Sequence, residues 1–155
     1  MQIDWPTGPI AHAGFSYIVA YAFRLNPVVT VFCGLLPDLV DKPLSMLGTG
    51  GGRFFGHSLL FVIIITAIFF FWRRRYALAA LAGFATHLLL DLNALIPWFY
   101  PFKSYTFYSS ELDFSAWLRG YLSFSQAGFE LVLVVVVFLL VYFGFHLYRR
   151  YSHKV

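Results

Sequence analysis

Charge is what this sequence lacks most. Only 12% of its residues are Asp, Glu, Lys or Arg, where a soluble domain carries about 25%. Hydrophobic residues make up 60% and the mean hydropathy is +0.73, so lipid rather than water is the expected solvent. Cysteine is nearly missing. Cys33 stands alone in an apolar run, which excludes an internal disulfide and leaves a small packing residue. The first 23 residues hold no Lys or Arg, so no n-region and no cleaved signal peptide is expected. Internal repeats and low-complexity tracts are also lacking, and the 155 residues are read as one transmembrane helical domain over 1–155.

What is present is a series of apolar runs. They predict an all-α integral membrane protein with five helical spans, at 9–23, 27–37, 58–72, 76–96 and 128–148. The last two, at 21 residues each, suffice for a bilayer core of about 30 Å at ~1.5 Å per residue. The first two are short and joined by Arg24-Leu25-Asn26-Pro27, where Asn-Pro signals a turn. They read as a helical hairpin, with a single kinked helix from 9 to 36 as the competing reading.

Charge placement favours the hairpin. With five spans, Arg24, Arg73, Arg74, Arg75, Arg149, Arg150 and Lys154 share one side. All the acidic residues lie at or toward the other, with Lys42, Arg53, Lys103 and Arg119. The positive-inside rule then sets the arginine side and the C-terminus in the cytoplasm of a bacterial or archaeal cell, and the N-terminus outside. A net charge of +4 laid out this way anchors a membrane protein and does not indicate nucleic acid. The segment 97–127, with Trp98, Tyr100, Phe102, Tyr105, Tyr108, Trp117 and Tyr121, is an aromatic outer loop suited to the headgroup layer, with 112–121 as a short interfacial helix.

Ionisable groups inside spans are costly and mark function by default. His87 and Asp91 are four apart in an apolar helix and so share a face. Counting ~1.5 Å per residue from the cytoplasmic arginines puts His87 ~18 Å up, and Asp91 and His57 each ~24 Å up. His12 stands ~18 Å above Arg24, Asp38 returns to that height on the second arm, and Asp41 follows one turn later. Six donors from four segments reach one layer in the outer half of the membrane. The expected set of metal ligands is His12, Asp38, Asp41, His57, His87 and Asp91. Mixed nitrogen and oxygen donors suit zinc first, then manganese or iron, and six of them leave one or two ions open.

Arg53 follows Gly50-Gly51-Gly52 on the outer side and is expected to hold a phosphoryl oxygen, or else to anchor in the headgroups. Ser58 either bonds a ligand or caps the helix start, and Asp41 is also a candidate general base. Gly48 to Gly52 lack a following Lys-Ser/Thr and read as a flexible loop. Glu130 suits the start of its own helix by the dipole and is a minor candidate for the cluster. His146 and His153 lie at the wrong edge.

Gly34-Leu35-Leu36-Pro37-Asp38, Arg53-Phe54-Phe55-Gly56-His57-Ser58, Gly83 to Asp91 and Trp98-Phe99-Tyr100-Pro101-Phe102 occur in that order. Together they resemble the YdjM-like family of small membrane-bound proteins described as metal-dependent hydrolases, over roughly residues 10–103. The early His with Pro-Asp is more faintly similar to zinc-dependent phospholipase C. The resemblance implies metal-binding or catalytic roles for His12, Asp38, Arg53, His57, His87 and Asp91. Two departures stand out: Asp38-Leu39-Val40-Asp41-Lys42 replaces the family's Asp-x-Asp-His, and Gly56 replaces Thr before the histidine.

The expected activity is hydrolysis of a phosphoester, or else an ester, of a lipid or lipid-linked substrate at the outer leaflet. A metal transporter or sensor, and a membrane protein with a purely structural metal, are the alternatives.

Overall fold

The computed structural model describes residues 8–47, 53–92, 96–105, 119, 121 and 124–152. The loop expected at Gly48 to Gly52, the helix expected at 112–121 and His153 fall outside them, Arg119 and Tyr121 excepted. Five α-helices and no strand are found among the described residues.

Helix α1 (Pro9–Phe23) has proline in its first turn, where a missing N–H costs nothing. It closes on Arg24 in the left-handed conformation (φ 54°), and the Leu25 N–H reaches back to the Ala20 carbonyl at 2.9 Å. Asn26 then caps α2 (Pro27–Met46), accepting the Val29 N–H at 3.0 Å. The hairpin is therefore the correct reading of 9–46, and the single kinked helix is not.

Helix α2 runs nine residues beyond the expected end at 37 (46 − 37), passing through Pro37 and Pro43. The apolar run ends at 37 because Asp38, Asp41 and Lys42 follow it, although the helix does not. The helix continues because its far half is engaged by other segments, and it thereby carries Asp38 and Asp41 on one rigid element. A 3-10 turn, Phe55–His57, leads into α3 (Leu59–Trp72). Extended Arg73 alone separates α3 from α4 (Arg74–Leu90), which makes the two an antiparallel pair. Helix α4 stops six residues short of the expected 96, with Asp91 as its C-cap. Helix α5 (Phe124–Ser152) is longer at both ends than the expected 128–148.

The burial pattern is inverted relative to a soluble domain. His12, Ser16, Thr30, Asp41, His57, Ser58, His87, Asp91 and Glu130 are buried, whereas Phe23, Ile63, Phe71, Leu78, Leu89 and Leu140 are exposed. The apolar core is small, centred on Cys33, Phe61, Phe84 and Leu88. Helices α2 and α4 meet where Gly34 faces Gly83. A Cβ on Gly83 would collide with the Thr30 carbonyl, and one on Gly34 with the Ser16 hydroxyl. Small residues thus let two backbones approach as closely as in membrane helix pairs. By length and composition, one described helix is long and apolar enough to cross a membrane, Gln126–Leu147 in α5, and hardly any of it is buried.

Candidate metal centre

Three imidazoles and two carboxylates converge where α1, α2, α4 and the 3-10 turn meet. His57 Nε2 and His87 Nε2 are 3.0 Å apart. His12 stacks on His87 with ring centroids 4.0 Å apart. Asp91 brings Oδ1 to 3.5 Å from His12 Nε2, and Oδ2 to 3.5 Å from His57 Nε2 and 3.9 Å from His87 Nε2. Asp38 Oδ1 stands 3.8 Å from His57 Nε2. Donor atoms of His12, Asp38 and His87, and of His57, His87 and Asp91, lie within 4.8 Å of one another in each group. Either group could hold a metal ion.

The outer ring nitrogens fix what the inner ones can do. His57 Nδ1 is 2.7 Å from Asp41 Oδ2, and His87 Nδ1 is 2.7 Å from the Gly34 carbonyl. An ionised carboxylate and a carbonyl only accept, so each Nδ1 carries the proton and donates it. With both rings neutral, the two Nε2 atoms would present lone pairs to one another, an arrangement that a cation between or beside them relieves. Two ligands at about 2.0–2.1 Å from one ion are ~2.9–3.4 Å apart for angles from a right angle to tetrahedral, so the observed 3.0 Å fits. His12 Nδ1, His12 Nε2 and Asp91 Oδ1 are buried with no hydrogen-bond partner among the described residues. Buried polar atoms are normally satisfied, and a divalent cation would satisfy His12 Nε2 and Asp91 Oδ1, which stand 3.5 Å apart. The donor set fits such a cation.

Asp41 departs from the expectation of a metal ligand or general base. Oδ1 accepts the Gly56 N–H at 2.7 Å. Oδ2 accepts the Phe54 N–H at 2.6 Å and the His57 N–H at 3.2 Å, besides the His57 ring. With both oxygens taken, Asp41 shapes the turn and orients His57. Gly56 is small for a related reason, since a Cβ there would lie 2.8 Å from the Pro37 carbonyl. Ser58 is the cap of α3: its hydroxyl accepts the Phe61 N–H at 3.2 Å and donates to the Phe55 carbonyl at 2.7 Å. It does not face the cluster.

Arg53 donates through Nε to Asp91 Oδ2 at 2.7 Å and is 31% exposed, so it links the cluster to the surface. Lys42 pairs with Asp38 Oδ2 at 2.6 Å on the same partly open edge. That i, i+4 spacing was legible, although the pairing was not part of the expected site.

Glu130 lies outside the cluster and caps a different helix from its own. It accepts the N–H groups of Gly8 (2.9 Å) and Ala11 (3.2 Å) and the Tyr121 hydroxyl (2.9 Å). Tyr121 in turn accepts the Ile10 N–H at 3.1 Å. Burial pushes the Tyr121 phenol up to about 12, opposed by the hydrogen bond from the Ile10 N–H and then reinforced by the Glu130 carboxylate, so it remains a neutral donor near neutral pH. This cap, which holds the helix of His12, was not foreseen, because nothing in the sequence pairs position 130 with positions 8–11.

Fold and site together define a small helical protein with a buried His/Asp cluster at one end and an apolar helix fit to cross a membrane. The chain belongs to the YdjM inner membrane protein family, whose pattern matches residues 8–153. No curated protein and no solved structure is significantly similar to it.

Proposed function

We propose that the protein is a multi-pass membrane hydrolase that uses one divalent cation, zinc by preference, to cleave a phosphoester of a lipid or lipid-linked substrate at the outer leaflet. The observation that carries this reading is the 3.0 Å approach of two buried Nε2 atoms beside His12 Nε2 and Asp91 Oδ1, which have no hydrogen-bond partner among the described residues. His87 supports one ion rather than two, since its Nδ1 is committed to Gly34 and only Nε2 remains. His12, His57, His87 and Asp91 would hold the cation, which leaves Asp38 Oδ1 beside it and outside its ligand set.

A cation bound there acidifies water to a pKa of about 7, making hydroxide available near neutral pH. The protein's own groups do the rest. Arg53, half-buried beside Asp91, binds the phosphoryl oxygen and stabilises its developing charge. Asp38 Oδ1, at the partly open edge, takes the proton of the attacking water. Asp41 keeps the His57 ring in place.

Two observations favour hydrolysis over transport. Below the cluster, Gly34 and Gly83 press α2 against α4. The Thr30 and Thr86 hydroxyls are bonded to carbonyls of residues 26 and 82, one turn earlier, and so are turned onto their own helices. The access at Asp38, Lys42 and Arg53 argues against a closed structural site. The proposed topology has the N-terminus outside, the C-terminus in the cytoplasm and the cluster beneath the outer surface.

The test is His87→Ala in purified protein, read by elemental analysis and by phosphate release from phospholipid in detergent. Metal content is expected to fall to background and turnover with it. Full metal occupancy in that variant would overturn the assignment, and metal flux into proteoliposomes would favour transport.

A further inference from the structure

A second cavity system occupies the end of α1 remote from the cluster. A cleft of about 410 Å³ lies between the α1–α2 turn and the C-terminal part of α5, lined by Tyr17, Tyr21, Phe145, Arg24 and Arg149 among others, and by no acidic residue. Arg24 holds the left-handed position that closes α1 (φ 54°), where glycine is the unstrained choice. Tyr17 also borders a groove of about 520 Å³ along the α1–α5 seam, past Phe138, Val134 and Gly14 to Ile10, with only aliphatic and aromatic lining otherwise. The cleft and the groove adjoin at Tyr17. From Arg24 to Ile10 the seam extends ~21 Å at ~1.5 Å per residue, longer than one leaflet's hydrocarbon depth of about 15 Å.

A cationic cleft that opens into a long apolar groove has the polarity of an anionic amphiphile. We propose that the α1–α5 seam binds one anionic phospholipid of the cytoplasmic leaflet, its phosphate between Arg24 and Arg149 and an acyl chain along Tyr17, Val134 and Phe138. Guanidinium groups suit phosphate oxygens through paired donors. The apolar stretch gives the chain a contact surface that phosphate alone would not use. Helix α5 packs on the bundle chiefly through α1, so a lipid in the seam adds contacts that the protein supplies sparsely. The leaflet rests on the orientation proposed above. The binding does not depend on the cluster, because Gly14 and Tyr17 project from the face of α1 opposite His12 and Ser16.

The experiment reconstitutes the full chain in nanodiscs of phosphatidylcholine, with or without phosphatidylglycerol. Native mass spectrometry after mild extraction reads the retained lipid, and a melting curve reads stability. Wild type is expected to retain a single phosphatidylglycerol and to melt higher in the mixed discs. R24Q/R149Q loses both effects, whereas R73Q/R74Q, with the same charge removed elsewhere on that side, keeps both. A13F fills the groove without altering charge and also loses the retained lipid. Circular dichroism confirms that each variant is helical.

Equal retention of the two lipids, unchanged retention in R24Q/R149Q or A13F, or equal loss in R73Q/R74Q would overturn the proposal. So would displacement by inorganic phosphate alone, or a lipid-free dimer. Metal content of the same samples reports separately on the cluster, so failure of either reading is recognisable.

Discussion

Helices α1–α4 and helix α5 are built on opposite principles. The first four enclose polar side chains and glycines, and their contacts are particular: a carbonyl for His87, a carboxylate for His57, a backbone against Gly83. Helix α5 is an apolar rod with few buried residues, and Glu130 is its one fully buried polar side chain among the described residues. The difference teaches where specificity resides. Within α1–α4, hydrogen bonds and close backbone approach set the geometry, because lipid provides little drive for apolar helices to associate. On α5, Glu130 is the polar latch, and ring contacts of Phe138, Tyr142 and Phe145 with Tyr17 and Tyr21 add to its attachment.

The contrast can be broken most forcefully at the α2–α4 crossing. Gly83→Leu sets a side chain against the Thr30 carbonyl and the Gly34 backbone and should lose several kcal/mol of stability. The expected outcome is loss of folded protein by size exclusion and melting curve, while Gly144→Leu in α5, where a Cβ meets nothing within 4 Å, melts like wild type. A next smaller effect is expected from Asp41→Asn. The amide retains the shape but presents an NH2 to the turn, so metal affinity in a competition titration should fall by about 10–100-fold. An unchanged affinity would return Asp41 to a passive packing role.

Glu130→Gln tests the latch. The neutral amide accepts more weakly from Gly8, Ala11 and Tyr121, and a helix start is worth about 1 kcal/mol in such contacts. Hydrogen exchange at residues 8–12 should accelerate and metal affinity should drop modestly, since His12 lies one turn inside. Protection left intact there would show that α1 is held by other contacts. The smallest effect belongs to Ser58→Ala, which removes the α3 cap and about 1 kcal/mol. The melting temperature should fall while KM and kcat stay put; a selective fall in kcat would revive the hydroxyl as a participant.

Much of this architecture was legible from residue types and spacing. Asn26-Pro27 announced the hairpin turn, and His12, Asp38, His57, His87 and Asp91 were recognisable because ionisable groups in apolar runs have few other reasons to be there. What was not legible depends on contacts between distant segments. Asp41 follows Asp38 by three residues and looks equivalent to it, yet the turn at 54–57 claims its oxygens. The length of α2 was hidden because its apolar run stops at Asp38, while the helix continues through charged residues that other segments engage. Glu130 suggested its own helix end because only a folded chain brings Gly8 beside it. Ser58 left two meanings open, and local geometry chose the cap.

The bond from His87 to the Gly34 carbonyl has a consequence for how this protein can vary. A side-chain partner such as Asp41 can be deleted or tuned by one codon change, whereas a main-chain oxygen is present whatever residue is encoded. Drift at position 34 therefore leaves the acceptor in place and is restrained by Ser16 and the Gly83 backbone, which crowd any larger residue. The His87 imidazole is thus anchored beyond the reach of simple substitution, whereas the His57 imidazole is adjustable through Asp41.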